Sequence, residues 1–206
     1  MEQNHGLALA DGDLFGDVER YRRLIGRLIY LVVTRPDFAY YVHILSQFMQ
    51  SPRVEHWDAA LRVVRYLKKS PGQGILLRSD SSLQLEGWCD SDWVSCPLSW
   101  RSLTGWFMFL GLSPVSWKTK KQPTIAMSFA EAEYKSMSAC TLFHERTKHI
   151  EADCHFVRDA ITDGLINPSY VPTTVQLADI FTKALGKVKF EFLLRKLGIC
   201  DPYAPT

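Results

Sequence analysis

Hydrophobic residues in the first third of the chain recur at helical intervals. A helix that begins near Asp17 carries its apolar residues on one face, namely Tyr21, Leu24, Leu28 and Leu31. Pro36 suits the first turn of a second helix, which extends to about Gln50. A third helix presents Trp57, Leu61, Val64 and Leu67 and ends before the breaker Pro71-Gly72. This pattern predicts a three-helix segment.

The pattern changes after Gly74 to short runs rich in aromatic and β-branched residues, separated by Ser, Gly and Pro. Four such runs predict an antiparallel meander of three or four strands: Gly74–Arg78, Leu83–Cys89, Thr104–Leu110 and Pro114–Lys118. The segment Leu165–Val171 is a weaker strand candidate because Pro168 removes a backbone donor.

Helical spacing returns in the second half of the chain. We predict helices at Ser128–Cys140, Arg146–Ile161, Val175–Leu185 and Lys187–Leu197. Strands followed by helices indicate the α+β class. The expected division is a loose lead-in at 1–16, a helical segment at 17–73 and an α+β domain at 74–206.

Composition narrows the functional classes only modestly. The net charge of +2 is too small to indicate nucleic-acid binding on its own. The longest apolar run, Leu28 to Val33, is far too short for a membrane span, and the first residues lack a signal-peptide layout. Five cysteines without close pairing indicate reduced thiols in an intracellular protein.

Candidate chemistry rests on acidic residues that are far apart in sequence. Asp90 and Asp92 follow a predicted strand, Glu131 and Glu133 lie on a predicted helix, and Asp179 lies among apolar residues. Phosphodiester hydrolysis by two Mg²⁺ ions gives a reason to gather several carboxylates. Their residue types alone also fit ordinary solvated surface groups. A zinc site is disfavoured because the spacing of His144, His149, Cys154 and His155 does not match finger-type ligand pairs.

A basic cluster forms a candidate nucleic-acid contact. It comprises Arg101, Lys118, Lys120 and Lys121 beside Trp117. A positively charged surface with an aromatic side chain can hold hybrid or single-stranded nucleic acid. A solvated strand end explains the same residues equally well.

Long segments of the sequence resemble a known family. The resemblance to copia-type retrotransposon polyproteins, in the part that follows the polymerase palm, lies in YRRLIGRLIYLVVTRPDFAYYVHILSQFM and HWDAALRVVRYLKKSPGQGI. Four further segments resemble the ribonuclease H domain of that family: GWCDSDWVSCPLSWRSLTGWFMFLGLSPVSWKTKKQ, SFAEAEYKSMSAC, FHERTKHIEADCHFVRDAITDG and QLADIFTKALGKVKFEFLLRKLGI.

The resemblance implies a ribonuclease H-like fold, a mixed sheet with flanking helices, over 74–206. It implies hydrolysis of the RNA strand of RNA–DNA hybrids with two Mg²⁺ ions and no small-molecule cofactor. The catalytic and metal-binding residues would be Asp90, Glu133 and Asp179, and Asp92 and Glu131 would shape the site. A location in the cytoplasm or in virus-like particles, without membrane association, follows from the same resemblance.

Two departures from the family lower the expected activity. The segment that matches the family's helix ends at Leu142, and the segment that matches FHERTKHIE begins at the next residue, Phe143. A central strand, adjoining helix parts and the third acidic ligand, which the family carries between them, are therefore missing. The polymerase palm is absent as well, so we expect no polymerase activity. We therefore expect impaired or lost ribonuclease H activity, from a deletion or from a gene model that skipped a segment. A non-catalytic nucleic-acid-binding remnant and a non-functional product are the alternatives.

Overall fold

The computed structural model describes residues 6–141 and 150–201, with side chains described from His155 onwards in the second range. Its helices are α1 (Val18–Leu31), α2 (Ala39–Ser46), α3 (Val54–Lys69), α4 (Phe129–Thr141), α5 (Ile150–Thr162), α6 (Asp179–Thr182) and α7 (Lys187–Lys196). Its strands are β1 (Gly74–Ile75), β2 (Leu85–Asp92), β3 (Leu103–Leu110), β4 (Ser113–Lys121) and β5 (Ile199–Cys200). The α+β prediction is confirmed.

The described residues form two compact units. The helical unit comprises the described parts of 1–78 and 183–206, and the sheet unit comprises those of 79–182. Residues 183–201 group with the helical segment and not with the sheet. The pairing of β1 with β5, Gly74 opposite Cys200, accounts for this grouping.

In the helical unit, α1 begins where Asp17 accepts a hydrogen bond from the Arg20 amide at 2.9 Å. Its buried face carries Tyr21, Ile25 and Leu28, and the Tyr21 hydroxyl donates to the Leu45 carbonyl at 2.8 Å. The first and third helices form as predicted, as α1 and α3. Their buried faces differ from the predicted ones. Leu31 is exposed, and α3 buries His56, Ala59, Ala60 and Val63, whereas the predicted Trp57, Leu61, Val64 and Leu67 are only half-buried. The second helix is shorter than predicted. A 3₁₀ turn at Pro36–Phe38 precedes α2, and after α2 the backbone amides bond to the carbonyl three residues earlier, as in a 3₁₀ turn.

The lead-in expected to be loose is bonded to the helical unit over its described part. Leu7 is buried within a 3₁₀ turn, Leu7–Leu9. Leu14 forms a β-bridge with Arg53, and the Phe15 ring stacks on Trp57 at 4.7 Å. Backbone hydrogen bonds add to these contacts: the Phe15 amide donates to the Pro52 carbonyl at 2.8 Å, and the Val54 amide donates to the Asp13 carbonyl at 3.0 Å.

The sheet unit contains a three-stranded antiparallel sheet in the order β2-β3-β4. The mixed sheet and the strand Gly74–Arg78 of the meander were wrong predictions for the described residues. Only Gly74–Ile75 is a strand, and it pairs outside this sheet. No strand forms at Leu165–Val171, where Pro168 lacks the amide a ladder requires.

The last predicted helices were partly correct. The predictions for α4 and α7 are confirmed, and α5 matches the described part of Arg146–Ile161. Only Asp179–Thr182 of the predicted helix Val175–Leu185 is α-helical. The Gln176 side chain accepts the Ala178 amide at 3.1 Å and so competes with the helix ladder. The sequence junction between Leu142 and Phe143 lies outside the described residues.

Candidate functional site

A glycine allows α6 to lie close against the sheet. Asp90 on β2 is paired in register with Gly105 on β3. A Cβ atom at Gly105 would lie 2.6 Å from the Cβ of Phe181 and 2.7 Å from the Cγ2 of Thr182, well inside van der Waals contact. The Phe181 ring stacks on Phe107 with centroids 5.6 Å apart. The absence of a side chain at 105 therefore places α6 beside Asp90.

Asp90 is held from both faces of the sheet. Its side chain is buried, and its Oδ2 accepts a hydrogen bond from the Thr182 hydroxyl of α6. Its backbone carbonyl accepts from the Ser136 hydroxyl of α4 at 2.8 Å. A buried carboxylate needs such donors, because leaving it unsatisfied carries a large desolvation penalty.

Glu133 contacts the outer edge of β2. Its Oε1 accepts a hydrogen bond from the Ser91 amide at 3.3 Å. Two residues away, the Cys89 carbonyl accepts from the Gln176 side chain at 3.1 Å. The two backbone groups point the same way, away from β3. Side chains from α4 and from the segment that precedes α6 thus satisfy a strand edge that no described strand covers.

Asp179 begins α6 and is fully buried. It lies three residues before Thr182, the donor to Asp90, so the structure brings together the segments that carry all three predicted acids. The carboxylates themselves approach from different sides. The Asp90 side chain points to the face of the sheet that α6 covers. Glu133 reaches β2 from α4, on the other face.

The described side chains do not fit a preformed Mg²⁺ site. Among the side chains of residues 6–141 and 155–201, no three His, Cys, Asp or Glu residues form a group that could hold a metal ion. An oxygen of Asp90 and one of Glu133 already accept hydrogen bonds within the fold. Hard cations need several converging oxygens, whereas Asp90 and Glu133 lie on opposite faces of the sheet.

The surroundings of these acids disfavour additional negative charge. Burial raises the pKa of Cys89 to about 12, and the neighbouring Cys140, Glu133 and Asp90 reinforce the effect, so this thiol stays protonated. Cys89, Cys96, Cys140 and Cys200 are free thiols among the described side chains. Neither Cys89 nor its neighbour Cys140, whose pKa burial raises to about 11, is a reactive thiolate.

Glu131 stabilises the N-terminus of α4. The Ser128 hydroxyl accepts from the Glu131 amide at 3.1 Å, and Glu131 accepts from the Met127 amide at 2.8 Å. This reciprocal arrangement resembles a capping box. Glu131 also pairs with Lys135 at 2.7 Å. Burial opposes the shift, but the Lys135 and Met127 hydrogen bonds and the Lys135 charge lower the pKa of Glu131.

Sequence reasoning missed the neutral residues that organise this region: Gln122, Ser136, Gln176 and Thr182. Gln122 is buried, and its amide group lies 3.0 Å from both the Thr104 hydroxyl and the Ala132 carbonyl. The available signal was the position of Gln122 directly after β4 and of Gln176 before α6. Neither position identifies a hydrogen-bond partner without the fold.

The predicted basic cluster is divided by the alternation of β4. Lys118 and Lys120 are exposed on one face, and Lys118 lies opposite Trp106 in register. Trp117 points to the other face and stacks on Phe107 at 6.0 Å. Lys121 donates to the sulfur of Cys96 at 3.1 Å, and Arg101 is exposed on the connection between β2 and β3.

The described helices include none that is long and apolar enough to cross a membrane. No family model matches the chain, and no solved structure matches it. Fold and site define an α+β protein in which acidic segments meet at one edge of a small antiparallel sheet.

Curated relatives identify the family. The chain is 35% identical to a retrovirus-related Pol polyprotein from transposon RE2 and 34% identical to that from transposon RE1, both of Arabidopsis thaliana, over 97% of its length. It is 27% identical to the corresponding protein from transposon TNT 1-94 of Nicotiana tabacum over 87% of its length. The chain belongs to the family of Pol polyproteins from copia-type transposons. It spans 16% of the length of each of these relatives.

Proposed function

We propose that this part of the polyprotein derives from a ribonuclease H module whose hydrolysis of RNA–DNA hybrids is impaired or lost. The observation that supports the proposal is that Asp90 and Glu133 accept hydrogen bonds from within the fold and that Asp179 is buried. Thr182 donates to Asp90, the Ser91 amide donates to Glu133, and Asp179 is fully buried. The activity itself would require these oxygens to face a cation and a phosphodiester.

The small size of the sheet supports the same proposal. A three-stranded antiparallel sheet with helices on both faces is compatible with a ribonuclease H-like fold that lacks a strand. The alignment with the RE2 relative runs over 236 positions although the chain has 206 residues, so at least 30 positions have no counterpart here. That number of positions is enough for a strand and part of a helix.

A fluorogenic RNA–DNA hybrid incubated with the full chain and Mg²⁺ tests the loss of hydrolysis. We expect no cleavage above the background of the Asp90→Asn variant. A gain-of-function variant sharpens the result: a segment of the RE2 relative that carries the missing strand and acidic residue, inserted between Leu142 and Phe143, should restore cleavage. Robust cleavage by the unmodified chain, abolished by Asp90→Asn, would contradict the proposal.

Glu133 provides a second arm that does not depend on turnover. Glu133→Gln keeps an oxygen that accepts from the Ser91 amide, so we expect stability close to that of the wild type. Glu133→Ala removes the acceptor and should destabilise the chain by about 1–2 kcal/mol. We also expect Mg²⁺ to leave the unfolding temperature unchanged. A rise with Mg²⁺ that Glu133→Gln abolishes would show a working metal site.

A non-functional product is the second candidate, because the sequence junction removes one of the implied ligands. The genomic DNA between the codons for Leu142 and Phe143 separates the cases. Stop codons there, or no intervening DNA, would favour a decayed copy. An open frame that encodes the missing strand would favour a functional ribonuclease H.

A further inference from the structure

The outer edge of β2 is only partly covered. Side chains from α4 and from the segment before α6 bond this edge at Ser91 and Cys89. Because strand residues direct their backbone groups to alternate sides, the groups of Leu85 and Gly87 point to the same edge. Both residues are exposed, and no hydrogen bond from a described residue reaches these outward groups. An open strand edge is a template on which another strand can pair.

The two edge strands of the sheet carry opposite charges. The charged residues of β2 are all acidic, namely Glu86, Asp90 and Asp92. The charged residues of β4 are all basic, namely Lys118, Lys120 and Lys121. Lysine and proline on an edge strand hinder its pairing with a like edge, and β4 contains both whereas β2 contains neither. The edge of β4 therefore repels another β4 edge and attracts a β2 edge.

The strand directions allow these two edges to meet between copies of the chain. Each of β2 and β4 is antiparallel to β3, so β2 and β4 run parallel to each other. A second copy that is displaced sideways in the plane of the sheet, without rotation, therefore presents its β4 parallel to β2 of the first copy. The acidic C-terminal half of β2 then lies beside the basic C-terminal half of β4, and the strands are 8 and 9 residues long.

The exposed lysines lie on the face that this arrangement requires. Lys120 is opposite Thr104 in register, and the Thr104 side chain contacts Gln122, which also bonds α4. Lys118 and Lys120 therefore leave β4 on the face that α4 covers, and both are exposed. Glu133 reaches β2 from that same face. Displacement without rotation keeps the faces aligned, so the lysines of one copy approach Glu133 of the next.

We propose that copies of this chain associate through the β2 edge of one copy and the β4 edge of the next, which extends the sheet from copy to copy. The incoming β4 backbone bonds Leu85 and Gly87 and, further along β2, replaces the side chains of Glu133 and Gln176. The contact is heterologous, because two different edges meet, so every added copy leaves the same two edges open. Assembly therefore continues beyond a dimer as the concentration rises. This association does not depend on the proposed ribonuclease H chemistry.

Sedimentation velocity of the full chain at low salt, over a range of concentrations, tests the contact. We expect the wild type to form species larger than a dimer that grow with concentration and diminish with added salt, which screens exposed charges. Lys118→Glu/Lys120→Glu should raise the concentration needed for association by about tenfold or more, because like charges then face each other. The matched control, Lys68→Glu/Lys69→Glu, makes the same charge change at the exposed end of α3 and should associate like the wild type.

A mixing experiment identifies both edges at once. Leu85→Pro removes an outward amide at the first residue of β2, where proline leaves the hydrogen bonds to β3 intact. Leu85→Pro alone and Lys118→Glu/Lys120→Glu alone should each stay monomeric where the wild type associates. Their equimolar mixture should form a dimer and nothing larger, because only one intact β2 edge and one intact β4 edge can meet. Matching circular dichroism melting curves would show that the variants fold alike.

Three results would overturn the proposal: a wild type that stays monomeric at every soluble concentration, association unchanged in Lys118→Glu/Lys120→Glu, or equal loss in the Lys68→Glu/Lys69→Glu control. A wild-type dimer that does not grow and that only Leu85→Pro abolishes would also contradict it, because that behaviour indicates pairing of two β2 edges. Hybrid cleavage bears only on the ribonuclease H proposal, so the two failures remain distinguishable.

Discussion

At the scale of single residues, a buried ion pair fixes the interruption between α1 and α2. Asp37 and Arg35 are 1% and 5% exposed, and the guanidinium donates to both carboxylate oxygens at 2.8 and 2.9 Å. The Tyr66 hydroxyl adds a bond to Asp37 at 2.6 Å. Burial, followed by the charge of Asp37, raises the pKa of Tyr66, which therefore remains a donor. Sequence reasoning read these residues only as a break between helices.

Removing the charge of Asp37 should therefore destabilise the helical unit strongly. Asp37→Asn leaves the Arg35 cation buried without its counter-charge, and we expect a loss of about 3–5 kcal/mol in urea unfolding. Glu19→Gln is the matched control, because it breaks the exposed pair with Arg22 and should cost about 0.5 kcal/mol or less. Equal effects of the two variants would contradict the structural role assigned to Asp37.

His56 makes the helical unit sensitive to acid. Its ring is 2% exposed, its Nδ1 accepts from the Arg53 amide at 2.9 Å, and its Nε2 lies 2.9 Å from the Leu7 carbonyl. A neutral ring with its proton on Nε2 satisfies both contacts. Burial lowers the pKa of His56 below its ordinary 6.5, although the Leu7 hydrogen bond opposes the shift.

The sign of this shift predicts the pH dependence of stability. Because the folded pKa is depressed, the unfolded chain takes up the proton first as the pH falls. The contribution of His56 is therefore fully present above about pH 6.5 and is lost as the pH falls through the folded pKa. We expect the unfolding temperature to drop between pH 7.5 and 5 more steeply for the wild type than for His56→Gln. Identical pH profiles would exclude His56 as the cause.

At the scale of elements, the packing of α6 on the sheet depends on a single missing side chain. Gly105→Ala would push the new Cβ against Phe181 and Thr182 and displace α6. We expect a destabilisation of about 1–3 kcal/mol, measured by chemical denaturation, because overpacked sites must shift backbone or side chains.

Gly26→Ala is the control for that substitution. Gly26 lies on the exposed side of α1 with nothing within 4 Å of an added Cβ, so alanine should stabilise the helix by roughly 0.5–1 kcal/mol. Opposite signs for the two glycines are the expected outcome. A neutral Gly105→Ala would mean that α6 is not held in close contact with β3.

Elements with strong periodicity were the predictable ones. The helices α1, α3, α4 and α7 follow from the spacing of apolar residues and from local breakers. The predicted strand at 165–171 failed at a proline that was visible in the sequence, whereas the predicted long helix at 175–185 failed because of contacts that only the folded chain reveals. Pro168 prevents a ladder, and Gln176 turns its amide toward Cys89 and Ala178. A hydrogen bond to a strand 87 residues earlier leaves no trace in local spacing.

At the scale of the whole molecule, the residues from Lys183 onwards belong to the helical unit, as the first part of the chain does. Gly74 and Ile75 pair with Cys200 and Ile199, so the sheet unit interrupts the helical unit in sequence. A domain boundary near 74 was visible as a change in periodicity. The second boundary, after Thr182, was not visible, because helical spacing continues across it into α7.

The family, most helices, the three-stranded meander from β2 to β4 and the acidic candidates can be predicted from the amino-acid sequence. Those features rest on local spacing and on long matching segments. The pairing of strand edges and the contacts of each carboxylate are known only from the folded chain. These outcomes depend on groups far apart in the chain: Thr182 bonds Asp90 and Gln176 bonds Cys89 only because Gly105 admits α6 to the sheet.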